Sequence, residues 1–141
     1  MSAYPWRHNV CETQDTVQAS HSQEEMLMTT LILLVTNVLL GGLFIAVAVP
    51  LIQGRVKPNP WYGVRVRKTL DDPDTWYAVN AYFGRRFAVM GLFIAVAGIA
   101  LSPLGLIPHV GSLVYMFLGQ GILIVSLIWV TIDTFRYLHK F

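Results

Sequence analysis

Tyr62, Arg65, Thr69, Trp76 and Asn80 are the side chains of this sequence best suited to hold a ligand. A phenol, a guanidinium, a hydroxyl, an indole and an amide supply donors, acceptors and an aromatic face. On a helix, Trp76 and Asn80 stand one turn apart and share a face, so the five residues could converge as a pocket. These groups bind; they do not by themselves react. The sequence holds no Gly-rich phosphate loop, no helix-borne His/Cys/Glu metal motif and no nucleophile beside a base. His8, His21, His109 and His139 are scattered along the chain and read as solvated or interfacial. The single Cys11 reads as a free thiol, with a disulfide to a partner or a weak His8/Cys11/His21 metal site as the alternatives. The chemistry expected is therefore binding, without catalysis, cofactor or metal.

The elements that must position these residues are dominated by lipid. Three apolar runs, 31–52, 87–107 and 113–132, contain no Asp, Glu, Lys or Arg. At about 1.5 Å per helical residue, each covers the roughly 30 Å hydrocarbon core of a bilayer. Of the 141 residues 55% are apolar and 13% charged, with a mean hydropathy of +0.54, whereas soluble domains carry about 25% charge. The fold class expected is all-α and integral to a membrane: three transmembrane helices plus a short cytoplasmic interfacial helix. The membrane domain covers 29–134, between a polar tail of residues 1–28, irregular on its own, and a short tail of 135–141.

Charge orients the chain. Residues before Leu31 carry Arg7 against Glu12, Asp15, Glu24 and Glu25. The 53–86 segment carries seven basic residues against Asp71, Asp72 and Asp74. Lys and Arg gather on the cytoplasmic side of spans, so the N-terminus is expected outside, and the loop and C-terminus in the cytoplasm. The first run is too long, and its flank too acidic, for a cleaved signal.

Within the spans, Gly42 and Ala46, and likewise Gly91 and Ala95, sit four apart on one helix face, where small residues admit a second helix. The string GLFIAVA occurs twice, at 42–48 and 91–97, and predicts an antiparallel close-packed pair. Asn37 and Gln120 are amides in hydrocarbon, each expected to pin packing through an interhelical hydrogen bond worth about 0.6–2 kcal/mol. In the loop, Asp72 reads as an N-cap, Pro73 as the first helical residue and Asp74 as a favourable charge at the dipole's positive end. Trp76, Val79 and Phe83 then form an apolar stripe on a helix that feeds span two near Gly84.

The ordered residues Pro58, Asn59, Tyr62, Gly63, Arg65, Thr69, Trp76, Asn80 and Gly84 resemble the signature of the SdpI family of bacterial membrane proteins, of the short three-span type. With its flanking spans the resemblance covers roughly residues 31–132. It departs at Val66 and Arg67, where many members place Thr-Pro, and it has no counterpart for the tail of 1–28. It implies a multi-pass protein of the bacterial inner membrane that acts by binding, in immunity or signalling against a membrane-active peptide toxin or through a protein partner. The alternative is an accessory subunit of a larger membrane complex, or a homo-oligomer. Arg65, Arg67, Lys68, Arg85 and Arg86 are candidates for anionic lipid, each basic residue near the surface contributing about 1 kcal/mol. They could equally salt-bridge Asp71, Asp72 and Asp74 and fold the loop. Nucleic acid is not an expected partner, the basic residues being few and pressed against a membrane.

Overall fold

The computed structural model describes the backbone of residues 5–108 and 111–141, with side chains at 14, 16–108 and 111–141. Four α-helices follow in order: α1 (Pro5–Ile52), α2 (Arg67–Asp71), α3 (Pro73–Leu101) and α4 (Gly111–Leu138). A 3-10 turn, Ser102–Leu106, links the last two. Stretches of α1, of α3 with its 3-10 turn, and of α4 are each long and apolar enough to cross a membrane. The protein is an all-α, multi-pass membrane protein. Its exposed Leu39, Val89, Phe117 and Val125 belong to surface that lipid, not water, covers.

Helices α1 and α3 make the most extensive contact, and glycine sets its closeness. Gly84, Gly91, Gly98 and Gly105 recur every seven residues and all are buried. A methyl group on Gly91 would lie 2.6 Å from the Gly41 carbonyl oxygen and 3.0 Å from Phe44 Cβ; one on Gly98 would lie 2.7 Å from Asn37 Cβ. One on Gly84 would lie 3.2 Å from Leu51 Cβ, and one on Gly105 2.5 Å from Thr30 Oγ1. The facing residues Thr30, Asn37, Phe44 and Leu51 are themselves seven apart. A seven-residue repeat keeps one seam turned towards a partner along the whole helix pair. Lipid tails are as apolar as side chains, so van der Waals contact of this kind, not hydrophobic burial, holds the pair.

The GLFIAVA segments do meet in antiparallel sense, but one expected face is corrected. Gly42 and Ala46 are exposed, and a methyl group on Gly42 would meet nothing within 4 Å. The neighbouring Gly41 is buried against Gly91 and Ala95. Gly41, not Gly42, falls on the stripe with Phe44 and Ala48, and one residue turns a helical position by about 100°. Asn37 is in the seam, yet its Nδ2 donates to Leu33 O of its own helix at 3.0 Å. Gln120 is exposed.

Helix α4 is fastened to α3 near both ends. The buried Tyr115 hydroxyl donates to Gly98 O at 2.8 Å. At the far end Arg86 Nε lies 2.9 Å from Asp133 Oδ2, which also accepts from the Tyr82 hydroxyl at 2.8 Å. Tyr82 stacks on Tyr137 with centroids 4.0 Å apart. Between them Met90, Ile94 and Val130 form a small core with Phe44, Phe87 and Leu127 packed round it.

Two further elements differ from expectation. Residues 5–28 are helical and continuous with the first span. Positions 6–28 contain no Gly or Pro, and once a span supplies the nucleus each added residue gains one hydrogen bond. The helix starting at Pro73 runs unbroken through Gly84 into the second span, and the short separate helix is α2. His8 and Cys11 lie outside the described side chains, as do His109 and Val110 of the turn.

The seam makes a paired prediction. Gly91→Ala should lower the unfolding free energy in mixed micelles by about 1–3 kcal/mol, the usual cost of overpacking, while Gly42→Ala, whose methyl meets nothing, should leave it unchanged or raise it by up to about 1 kcal/mol.

Candidate functional site

The seam brings the end of α1 beside the start of α3, so the segment between them closes a short path. Helix α1 stops in a Schellman arrangement: Gly54, at φ +65°, donates to Leu51 O at 3.2 Å and Arg55 N–H to Pro50 O at 3.1 Å. Glycine takes that left-handed position without a Cβ penalty. The chain then turns at Asn59, whose Oδ1 accepts from the N–H groups of Trp61 and Tyr62, both at 2.8 Å, and whose Nδ2 donates to Lys57 O at 2.8 Å. An Asx turn between Pro58 and Pro60 is the local chemistry that Pro-Asn-Pro favours.

The five candidate residues all belong to this unit, and the structure brings all of them onto the fold's own backbone, four of them at least partly buried. The Trp76 side chain is fully buried, and its Nε1 donates to Val56 O at 2.9 Å across twenty residues of sequence. Asn80 is buried; its Oδ1 accepts from Val64 N–H at 2.6 Å and its Nδ2 donates to Trp76 O at 3.0 Å. The buried Thr69 hydroxyl accepts from Val66 N–H at 3.1 Å and faces Val64 O at 2.8 Å. The Tyr62 hydroxyl donates to Val47 O of α1, and partial burial raises its pKa above the ordinary phenol value. Arg65 differs: it is exposed, with Nη1 donating to Pro60 O at 2.5 Å.

Gly63 explains how the latch closes. Its φ is +104°, and a methyl group there would collide with Asn80 Oδ1 and lie 3.1 Å from Asn80 Cγ. Only glycine both takes this backbone and lets the Asn80 amide reach the next N–H. The start of α3 is fixed as expected. Asp72 caps it, Oδ2 accepting from the Thr75 hydroxyl at 2.5 Å and from Thr75 N–H at 3.0 Å, and Oδ1 from Asp74 N–H at 3.2 Å. Those bonds, that of the Thr75 hydroxyl foremost, hold the exposed Asp72 carboxyl below its ordinary range.

The model of the SdpI/YfhL protein family matches residues 55–132, more than half of the chain. The chain belongs to this family. No curated protein and no solved structure matches it. In this SdpI-type protein the matched region opens at Arg55, so it takes in the latched loop, α3 and nearly all of the membrane-crossing part of α4. Helix α1, which supplies half of the glycine seam and the carbonyl that receives Tyr62, lies before it.

What faces outward from the unit is of a different kind. Trp61, at the tip, is 84% exposed. Among the five basic candidates for lipid, Arg86 is paired with Asp133, and Arg67 forms an exposed pair with Asp71 at 3.5 Å. Such an exposed pair contributes little. Lys68 and Arg85 are exposed and form no ion pair among the described residues. Asn59 and Gly63 are structural centres of the site beyond the five candidates. Their signals in the sequence are the flanking prolines and the Tyr-Gly step.

Removing the latch should open the loop without emptying the membrane of protein. Asn80→Ala strands the partly buried Val64 N–H at a cost of about 1–3 kcal/mol, and Gly63→Ala adds backbone strain of the same order. Either change is expected to speed tryptic cleavage at Arg65–Lys68 in vesicles by about tenfold, and equal rates in wild type and variants would contradict the latch.

Proposed function

We propose that this SdpI-type membrane protein acts by binding, through the outward face of its latched loop, and that it protects the cell from or signals the presence of a membrane-active peptide toxin. The observation that carries the reading is the division of labour within the loop. Trp76, Asn80, Thr69 and Tyr62 spend their polar atoms on the chain's own backbone, while Trp61 and Lys68 are exposed, as is Arg65 apart from the one bond of its Nη1 to Pro60 O. A rigid platform with an exposed indole among cations suits a headgroup-level surface, where Trp rings settle and basic residues meet anionic lipid. A ligand reaching that surface meets preformed geometry, so little conformational entropy is lost on binding. The reading places the loop and C-terminus in the cytoplasm of a bacterium, beneath the inner membrane, with lipid and a peptide or protein as partners. It assigns no catalytic residue, cofactor or nucleic acid.

A second reading, an accessory subunit of a larger membrane complex, draws on the N-terminal arm of α1. Every described side chain from Thr16 to Glu25 is exposed. A polar helical arm gains little stability by itself, and packing against another chain is its usual support.

Expression in a peptide-sensitive bacterium tests the first reading. Cells carrying the wild-type chain should survive challenge with a membrane-active peptide to which control cells succumb. Trp61→Ala combined with Lys68→Ala should abolish protection at an unchanged level of protein in the membrane. Undiminished protection by that variant would remove the outward face as the binding surface. Purification with a stoichiometric second protein would favour the subunit reading.

A further inference from the structure

Gln120 is a polar side chain of the spans that the fold leaves unused. It is exposed, and among the described residues its amide has no hydrogen-bond partner. It stands nine residues after Gly111 and thirteen before Asp133, which is about 14 Å and about 20 Å along the helix. Neither membrane surface is within reach of a glutamine. An unpaired amide in hydrocarbon is costly, and across helices it finds its partner in another polar side chain. The other span amide, Asn37, shows the contrast, being packed against Gly98 and bonded to Leu33 O.

The surroundings of Gln120 have the form of a helix contact. Phe117, Gln120, Gly121 and Ile124 follow at i, i+3, i+4 and i+7 and all are exposed, so they make one stripe on the outer side of α4. A methyl group on Gly121 would meet nothing within 4 Å, leaving a shallow place beside the amide where another backbone can come close. We propose that this stripe is a homodimer contact, in which α4 of two copies pack about a two-fold axis and the two Gln120 amides hydrogen-bond to each other. The carboxamide carries both donors and an acceptor, so it is complementary to itself. A two-fold axis sets the same residue of each copy opposite the other. That self-complementarity selects a second copy, where an apolar helix would leave the amide unpaired. The contact uses α4 alone and stands independently of the loop reading.

The test uses the full chain with Cys11→Ser and Ile124→Cys, reconstituted in phosphatidylcholine vesicles and oxidised over a series of protein-to-lipid ratios. A disulfide-linked dimer is expected, and Gln120→Leu should weaken association by about three- to thirtyfold, the range of one interhelical hydrogen bond. In excess detergent, where the copies are diluted apart, the same substitution should leave the unfolding midpoint unchanged, because the amide holds nothing within one copy. If the protein with Cys11→Ser and Ile124→Cys stays monomeric at high protein-to-lipid ratio, or cross-links to the same extent with and without Gln120→Leu, the proposal is overturned. A fall in the unfolding midpoint of the diluted monomer also overturns it, placing the amide's role inside one copy. Cross-linking in native membranes to a different protein instead of to itself would overturn the assignment to a second copy. Trp61→Ala should leave cross-linking as it is, so failure of the loop reading and failure of this one are separate results.

Discussion

The close approach of α1 and α3 is the constraint on which the rest of this protein rests. Inside lipid no hydrophobic force drives two apolar helices together, and their attraction comes from atoms in contact. Glycines at 84, 91, 98 and 105 remove the side chains that would hold the backbones apart, at the same seven-residue interval as the residues they face. Gly41 and Gly91 meet backbone to backbone near the middle of the pair. Without that approach the end of α1 would not lie beside the start of α3, and the loop would have nothing to latch to.

The latch then follows from satisfying backbone groups. A loop that folds back on buried helix surface carries N–H and C=O groups that need partners. Asn80, Trp76 and Thr69 meet this need for Val64, Val56 and Val66, and Tyr62 ties the other side of the turn to α1. The residues that carry the family resemblance are thus in large part partners of backbone groups. The groups left over after the loop has satisfied itself are an indole and several cations.

Much of the fold was legible in the sequence, for identifiable reasons. Charge-free runs of bilayer length mark spans whatever their packing, and Asp72-Pro73-Asp74 announces a helix start through local chemistry alone. The loop's importance was legible too, since Trp, Asn, Thr and Tyr are costly residues in a mere linker. What those residues touch was not. Trp76 and Asn80 do share a face, as their spacing requires, but spacing does not say whether that face meets a ligand or Val56 and Val64. The choice of Gly42 over Gly41 failed by one residue because both are small and only tertiary contact separates them. The seven-residue glycine repeat is present in the sequence, but its interval alone does not say which helix it faces. The Arg86–Asp133 pair joins residues 47 apart, across a hairpin whose register no local signal sets.

Amide hydrogen exchange across residues 55–75 of the chain in lipid bilayers tests the central claim most directly. The loop, though it lies outside the spans, should show protected amides at Trp61, Tyr62, Val64, Val66 and Thr75, the N–H groups with partners in Asn59, Asn80, Thr69 and Asp72. Exchange of all five at the rate of an unstructured peptide would contradict the account, because the loop would then be a tether between spans and not a platform built on them.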